Sequence, residues 1–351
     1  MQMQRRPNRK TPTVNSRCNN SEPAGENRPM VLRVGHGVQQ RRLDKYLHAR
    51  LSNLSRVMIQ KQIAAGGVRV NGEAVKPSRK LAYGDTIELS LPRTPSRRIT
   101  PEDIPLDIIY EDDDIIVLNK QAGILVHPAR GNTHGTLVNA LAFHCEKLSS
   151  AGFDSDDPRP GIIHRLDRNT TGVMVAAKNP RSQWQIAGQF QHRQVGKTYL
   201  AIVHGTPQLN ADRINAPLGV HPRVREKYAI LGRSETAKDA VTYYEVIEPF
   251  RGYSLLRLSP RTGRTHQIRV HLSHIKHPVV ADNMYGGKCV YRWQLAGAEP
   301  AAEQPLINRC ALHARTLEFK HPSTKEPMKF EAPLPEDMER LLEALRELRR
   351  R

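Results

Sequence analysis

Residues 160–179 read PGIIHRLDRNTTGVMVAAKN. The stretch sets a single carboxylate, Asp167, between Arg165 and Arg168 and then enters an apolar run from Gly172 to Ala177. An acid in that setting is either a surface salt bridge or a reagent. Neighbouring guanidiniums favour the ionised form and apolar flanks keep water away, which is the state a carboxylate needs to attack a carbon or remove a proton. Taken alone, the stretch leaves both readings open.

From Leu106 onward, strand-like and helical patterns mix without a regular β-α-β alternation. DIIYEDDDIIVLNK, residues 107–120, reads as strand, acidic turn, strand, and GTLVNALAFHC, residues 135–145, reads as a helix. This pattern predicts an α+β fold on a mixed, largely antiparallel sheet. At the end, PEDMERLLEALRELRRR (335–351) sets Met338, Leu341, Leu342, Leu345 and Leu348 on one helical face, with acids early and arginines late to suit the helix dipole. Such a helix is expected to pack onto the main domain.

Upstream lies RRLDKYLHARLSNLSRVMIQKQIAAGGVRVNGEAVKPSRKLAYGDTIELSLP, residues 41–92. Leu43, Tyr46, Leu47 and Leu51 fall at helical spacing, and Ser55 stands where it would cap a second helix that carries Val57, Ile59 and Ile63 and stops at Gly66-Gly67. The period then switches to two: Val68 and Val70 lead into Asn71-Gly72, a hairpin signal, and Ile87 and Leu89 follow Gly84-Asp85 as a closing strand. The organisation expected is a basic, disordered tail over 1–30, a small module over 31–92, a linker over 93–105 and a main domain over 106–351.

The chain has 351 residues, 54 Lys and Arg against 35 Asp and Glu, and a formal net charge of +19. Such an excess favours a polyanionic partner, nucleic acid before membrane. No apolar run is long enough to cross a bilayer, and the basic N-terminus is not followed by a signal-peptide core, so a cytoplasmic protein is expected. Cys18, Cys145, Cys289 and Cys310 lie far apart, with neither a C-x-x-C pair nor zinc-type spacing. Glu111 to Asp114 read as a charged turn rather than a metal site. His266, His271, His274 and His277 read as packing or RNA contacts. G-x-S-x-G and phosphate-cradling G-x-x-x-x-G-K-[ST] motifs are both absent, which weakens hydrolase and nucleotide-triphosphatase readings.

HRLDRNTTG followed by VMVAAKN resembles the signature of pseudouridine synthases of the RluA/RluD type, and the RluD-like branch in particular. The likeness continues through YEDDDIIVLNKQAGILVHPARGNTHGTLVNAL, GKTYLAIVHG, TGRTHQIRVHLSHIKHPVVADNMYGG and LHARTLEFKHPSTKEPMKFEAPLPEDM, in that order, and spans about Val38 to Leu341. The block before it, in LDKYL, IQKQI, VNG and the GD-x-I-x-L pattern, resembles the alpha-L, or S4-like, RNA-binding motif. Gln121, Thr171 and Ala281 depart from the usual pattern.

The resemblance implies an isomerase that needs no cofactor and no metal. Asp167 matches the family's essential aspartate, Tyr199 its active-site tyrosine and Arg269 the arginine that pairs with the aspartate. Asp167 would attack the sugar or the ring, or abstract the ribose proton beside the anomeric carbon, and sequence does not choose among these. Arg269 would orient it through a charge-assisted pair, and Tyr199 offers a flat face for the base and a hydroxyl near the carbon that loses its proton. Around them His164, Arg165, Arg168, Lys120, Lys197, Arg264 and His266 are expected to contact RNA, with Arg165 filling the gap left by a flipped nucleotide. Arg56 and Lys61 would do so from the module. Large-subunit ribosomal RNA, free or in a precursor particle, is the expected substrate for a monomeric enzyme. Transfer RNA and a non-catalytic ribosome-assembly factor are the alternatives.

Overall fold

The computed structural model describes residues 30–35, 40–51, 56–90, 99–128, 133–146, 161–232 and 236–350. The expected tail up to residue 29, Ser55, Cys18 and linker residues 93–98 lie outside them. The chain divides into two compact units, Met1–Ser96 and Arg97–Arg351.

In the first unit the order is β1 (Met30–Arg33), α1 (Leu43–Arg50), α2 (Arg56–Ala64), β2 (Val68–Val70), β3 (Glu73–Ala74) and β4 (Thr86–Leu89). The four strands form one antiparallel sheet, β1-β4-β2-β3. Between β2 and β3, Asn71 and Gly72 take φ of 54° and 82°, the left-handed pair that a two-residue turn of matching twist requires. Leu43, Tyr46, Leu47, Ile59, Ile63, Val68, Val70, Ile87 and Leu89 close its core. The helix-helix-hairpin reading therefore describes the module, except that β1 was not legible in its sequence.

Buried at the helix pair is Asp44, whose carboxylate accepts from Arg42 Nε and Nη2, Arg56 Nε and Nη2, Gln60 Nε2 and the Lys45 N–H. These donors hold its pKa far below the usual carboxylate range.

The second unit runs β5 (Ile108–Glu111), β6 (Ile115–Lys120), α3 (Leu137–Glu146), β7 (Thr171–Ala177), α4 (Pro180–Gln191), β8 (Gly196–His204), β9 (Ala211–Asn215), β10 (Leu218–Val220), β11 (Tyr228–Ile230), β12 (Val241–Phe250), β13 (Tyr253–Pro260), α5 (Gln267–His274), α6 (Arg292–Ala296), β14 (Leu312–Lys320), β15 (Pro327–Glu331) and α7 (Glu336–Leu348). Its main sheet has the order β5-β6-β7-β14-β8-β13-β12-β9, with β15 added to β14. Every pairing but one is antiparallel, so the mixed, largely antiparallel α+β expectation holds.

The exception decides where the site forms. β14 lies parallel to β7 over only His313 and Ala314, then gives that edge to β15 from Thr316 to Lys320. On its other edge it pairs with β8, Ala314 opposite Tyr199. Gly172, Ala314 and Tyr199 thus stand in a row across three strands. Gly172 has φ of 113°, and a Cβ built there would sit 2.1 Å from the Ala314 carbonyl oxygen, so only glycine fits.

β6 and β7 are buried on both faces. Ile115, Val117, Val173 and Val175 join one core and Ile116, Leu118, Met174 and Ala176 another, which is why both strands read as continuous apolar runs rather than alternating ones. In α7, Met338, Leu341, Leu342 and Leu345 are buried as the amphipathic spacing predicts, with Leu348 partly so.

Candidate active site

Asp167 sits in the tight turn that precedes β7, closed by Thr170 N–H donating to the Asp167 carbonyl at 3.1 Å. Tyr199 projects from β8, two strands away, and Arg269 from α5. The fold brings these three together: they line one cavity of about 100 Å3 with Arg165, Lys197, Arg264 and His266. Arg269 Nη1 donates to Asp167 Oδ2 at 3.1 Å, with the Asp167 side chain 21% exposed and that of Arg269 11%.

Sequence reasoning missed the group that holds Arg269 itself. Asp282 receives Arg269 Nε at 2.7 Å and Nη2 at 2.8 Å, and its side chain is 1% exposed. The bidentate pair raises the guanidinium's pKa against the burial that lowers it, and leaves one arm free to point at Asp167. The guanidinium carbon also lies 4.9 Å from the centre of the Tyr285 ring, a cation-π contact.

Tyr285 also contacts His266. Its hydroxyl accepts from Tyr228 N–H at 2.9 Å and lies 2.7 Å from His266 Nδ1. The other ring nitrogen, Nε2, faces Asp167 Oδ2 at 3.9 Å. Burial lowers the His266 pKa, against the pull of Asp167. His266 occupies the left-handed region at φ 57°, an unusual conformation for a non-glycine residue.

Buried Gln267 enforces that geometry. Its Oε1 accepts from Thr262 Oγ1 at 2.7 Å and from Arg264 N–H at 3.0 Å, and its Nε2 donates to the Val241 carbonyl and Thr242 Oγ1. His271, one turn further, is buried against Thr242 Oγ1 and the Ala216 carbonyl. Among the described residues, no group of His, Cys, Asp and Glu converges to hold a metal ion.

Tyr199 is half-buried. Burial first, and then the Asp167 charge, push its phenol pKa up, so the hydroxyl keeps its proton. The small cavity opens into a cleft of about 750 Å3, the two sharing Arg165, Lys197, Tyr199, Pro260, Thr262, Gly263 and Arg264. The cleft wall also carries Phe190, Arg193, Tyr243 and Arg261.

The residues expected at RNA meet different fates. Arg165, Arg264 and Lys61 are exposed. Arg165 and Lys197 make no ion pair among the described residues, and burial lowers the Lys197 pKa in the cleft wall. Arg168 is exposed but anchored, its Nε donating to the Gly123 carbonyl. Arg56 is 43% exposed and tied to Asp44.

One expectation needs correction. Lys120 is 1% exposed, its ammonium turned inward onto the Gln121 and Arg168 carbonyls at 2.7 and 3.1 Å, so it cannot grip phosphate. His164 keeps its place in the cleft wall: its Nε2 accepts from Val175 N–H, its ring stacks on Phe190 at 4.7 Å, and burial together with Lys197 pushes its pKa down. It lines the cleft as a neutral ring.

A family model described as RNA pseudouridylate synthase matches residues 114–274, and an S4 domain model matches residues 41–87. An RNA pseudouridine synthase of Chlorobaculum parvum, described as uncharacterized, is 42% identical over 320 residues, 90% of this chain and 98% of that protein. The ribosomal large subunit pseudouridine synthase D of Xanthomonas campestris pv. campestris is 41% identical over 307 residues, 88% of this chain and 89% of that protein. The solved structure of human RNA pseudouridylate synthase domain containing 4 matches with a TM-score of 0.54 and 29% identity, over 68% of this chain and 93% of that one. The chain belongs to the RNA pseudouridylate synthase family, and is an isomerase that converts uridine to pseudouridine in RNA.

Proposed function

We propose that the enzyme modifies uridines of large-subunit ribosomal RNA, with Asp167 as the catalytic residue, Arg269 as the group that orients it and Tyr199 as the platform for the base. The observation that carries the site assignment is the Asp167 to Arg269 contact of 3.1 Å at the end of a cavity open to a basic, aromatic cleft. Relatives named ribosomal large subunit pseudouridine synthase D, at 40–41% identity over 87–90% of the chain, support the ribosomal substrate. The reading carries with it a cytoplasmic enzyme that acts as a monomer on ribosomal RNA or a ribosomal precursor. No described helix is long and apolar enough to cross a membrane.

The reaction breaks the bond from ribose C1′ to N1 of the base, turns the ring, joins C1′ to C5, removes the C5 proton and leaves a proton on N1 in its place. Nothing is oxidised and nothing is hydrolysed. Asp167 serves this by attacking sugar or ring, or by taking the ribose proton beside the anomeric carbon, and each route needs its oxygen aimed at the nucleoside. Arg269 does the aiming, since two of its nitrogens are committed to Asp282 and cannot swing. The raised pKa of Tyr199 favours stacking through the ring face over proton removal by a phenolate.

A stacked uridine must be flipped out, at a cost of a few kcal/mol. Exposed Arg165 at the cavity mouth suits the space it leaves, and Lys197, with Arg264, suits the adjoining phosphates. Mapping pseudouridine in cells that lack this gene tests the substrate. Loss confined to large-subunit ribosomal RNA is the expected result, and loss confined to transfer RNA would overturn it.

A further inference from the structure

The turn that carries Asp167 has its side chains outside and its carbonyls inside. Arg168 and Asn169 are exposed, yet all three carbonyls from Asp167 to Asn169 are engaged. The Asp167 carbonyl takes the Thr170 N–H, and the Arg168 carbonyl takes the Gly123 N–H at 2.9 Å and Lys120 Nζ at 3.1 Å. The Asn169 carbonyl takes Arg309 Nη1 at 3.2 Å. Two successive peptide groups are therefore held by two buried basic side chains, Lys120 at 1% exposure and Arg309 at 7%.

A buried cation is a costly way to satisfy a carbonyl, since neutral donors serve at less desolvation cost. Arg309 meets that cost through Asp337 in the first turn of α7, which takes its Nε at 2.7 Å and its Nη2 at 2.6 Å. The fork leaves only Nη1 to reach the turn and the Cys310 carbonyl. This repeats the arrangement on the other side of Asp167, where Asp282 fixes Arg269 and leaves Nη1 for the carboxylate. One arginine thus positions the carboxylate and the other the peptide behind it. Arg309 precedes β14, the strand inserted between β7 and β8, so the brace ties the turn to the strand opposite Tyr199 and to the C-terminal helix.

We propose that Arg309, anchored on Asp337, and Lys120 are positioning residues that clamp the Arg168 and Asn169 carbonyls and thereby fix the turn from which Asp167 acts. The proposal rests on the reading of Asp167 as the catalytic residue. It separates two functions that simple stability would mix: the clamp lies outside the walls of the cavity and the cleft, so its removal alters the chemical step and leaves RNA affinity alone.

The test compares single-turnover rates at saturating enzyme with RNA dissociation constants and melting temperatures. Arg309→Met is expected to slow the chemical step by about 100-fold, the scale of a misplacement near 1 Å, while RNA affinity stays within about twofold. Arg309→Lys, which keeps a donor for the Asn169 carbonyl, is expected to recover at least about tenfold of that loss. Should Arg309→Met fail to fold, Asp337→Asn, at a side chain 24% exposed, serves in its place with the same split expected. Arg340→Ala, exposed on the same helix, is the control and is expected to match the parent.

A lowered melting temperature with an unchanged rate well below it would reduce the brace to ordinary stability and overturn the proposal. Equal losses in Lys and Met variants would do the same. Asp167→Asn run alongside keeps the two readings apart: an active Asp167→Asn enzyme defeats the assignment of Asp167, whereas an inactive one beside a fully active Arg309→Met defeats only the brace.

Discussion

Arg269 grips Asp282 with two hydrogen bonds, 2.7 and 2.8 Å, in a buried pair whose carboxylate stands behind the wall of the cavity that Arg269 lines. Asp167, the proposed catalytic residue, receives a single bond at 3.1 Å. The stronger pairing therefore fixes the guanidinium, and the weaker one leaves Asp167 with lone pairs that Arg269 does not use, as the proposed role requires.

Removal of the support follows from this. Asp282→Ala leaves a buried guanidinium without its counter-charge, and loss of one member of a buried pair costs about 3–5 kcal/mol. Equilibrium denaturation is expected to show a loss on that scale, and kcat is expected to fall with it. Asp282→Asn keeps the shape and an acceptor and should retain more of both. A fully stable Asp282→Ala enzyme would mean that Arg269 is held in some other way.

Asp44 plays the equivalent part in the N-terminal module, where it gathers Arg42 and Arg56 and leaves them 41% and 43% exposed. Asp44→Ala frees both guanidiniums and removes the tie between the two helices. RNA binding should weaken, and the slope of log affinity against log salt should become shallower by about one for every phosphate that is no longer neutralised. An unchanged slope would show that these arginines do not meet the backbone.

Lys120 makes stability depend on pH. Burial, partly offset by the Asp167 charge, lowers its pKa from 10.5 to about 7. Between those values the unfolded chain binds a proton that the folded chain does not, so stability rises with pH across that window, by up to about 1.4 kcal/mol per unit. Below the lower value both states are protonated and the contribution is flat. Urea midpoints for the parent, measured against Lys120→Met, should climb from pH 7 to pH 9. A constant difference would place the ammonium in water.

Much of this was legible in the chain because the informative patterns are local. Gly172 to Ala177 reads as an apolar run behind a lone acid, and the alternation around Asn71-Gly72 writes its own hairpin. Asp167, Tyr199 and Arg269 each stand inside a short, ordered motif, so they could be named without coordinates.

What escaped is what depends on distant segments meeting. The parallel insertion of β14 beside β7 joins His313 to Thr171 across more than a hundred residues, and no local period encodes it. Asp282 follows Arg269 by thirteen positions and comes after Ala281 at φ 57°, so neither spacing nor helix geometry links them. Lys120 carries a signal that points two ways. Its charge suggests a surface position, but a lysine that ends the apolar run IIVLN continues a strand buried on both faces, and the strand decides.

The central claim is that the Asp167 carboxylate does the chemistry while other groups hold the RNA. The direct measurement is pseudouridine formed by Asp167→Asn on large-subunit ribosomal RNA, with binding measured on the same RNA. The account predicts no product and an affinity close to that of the parent. Turnover at the parental rate would contradict it.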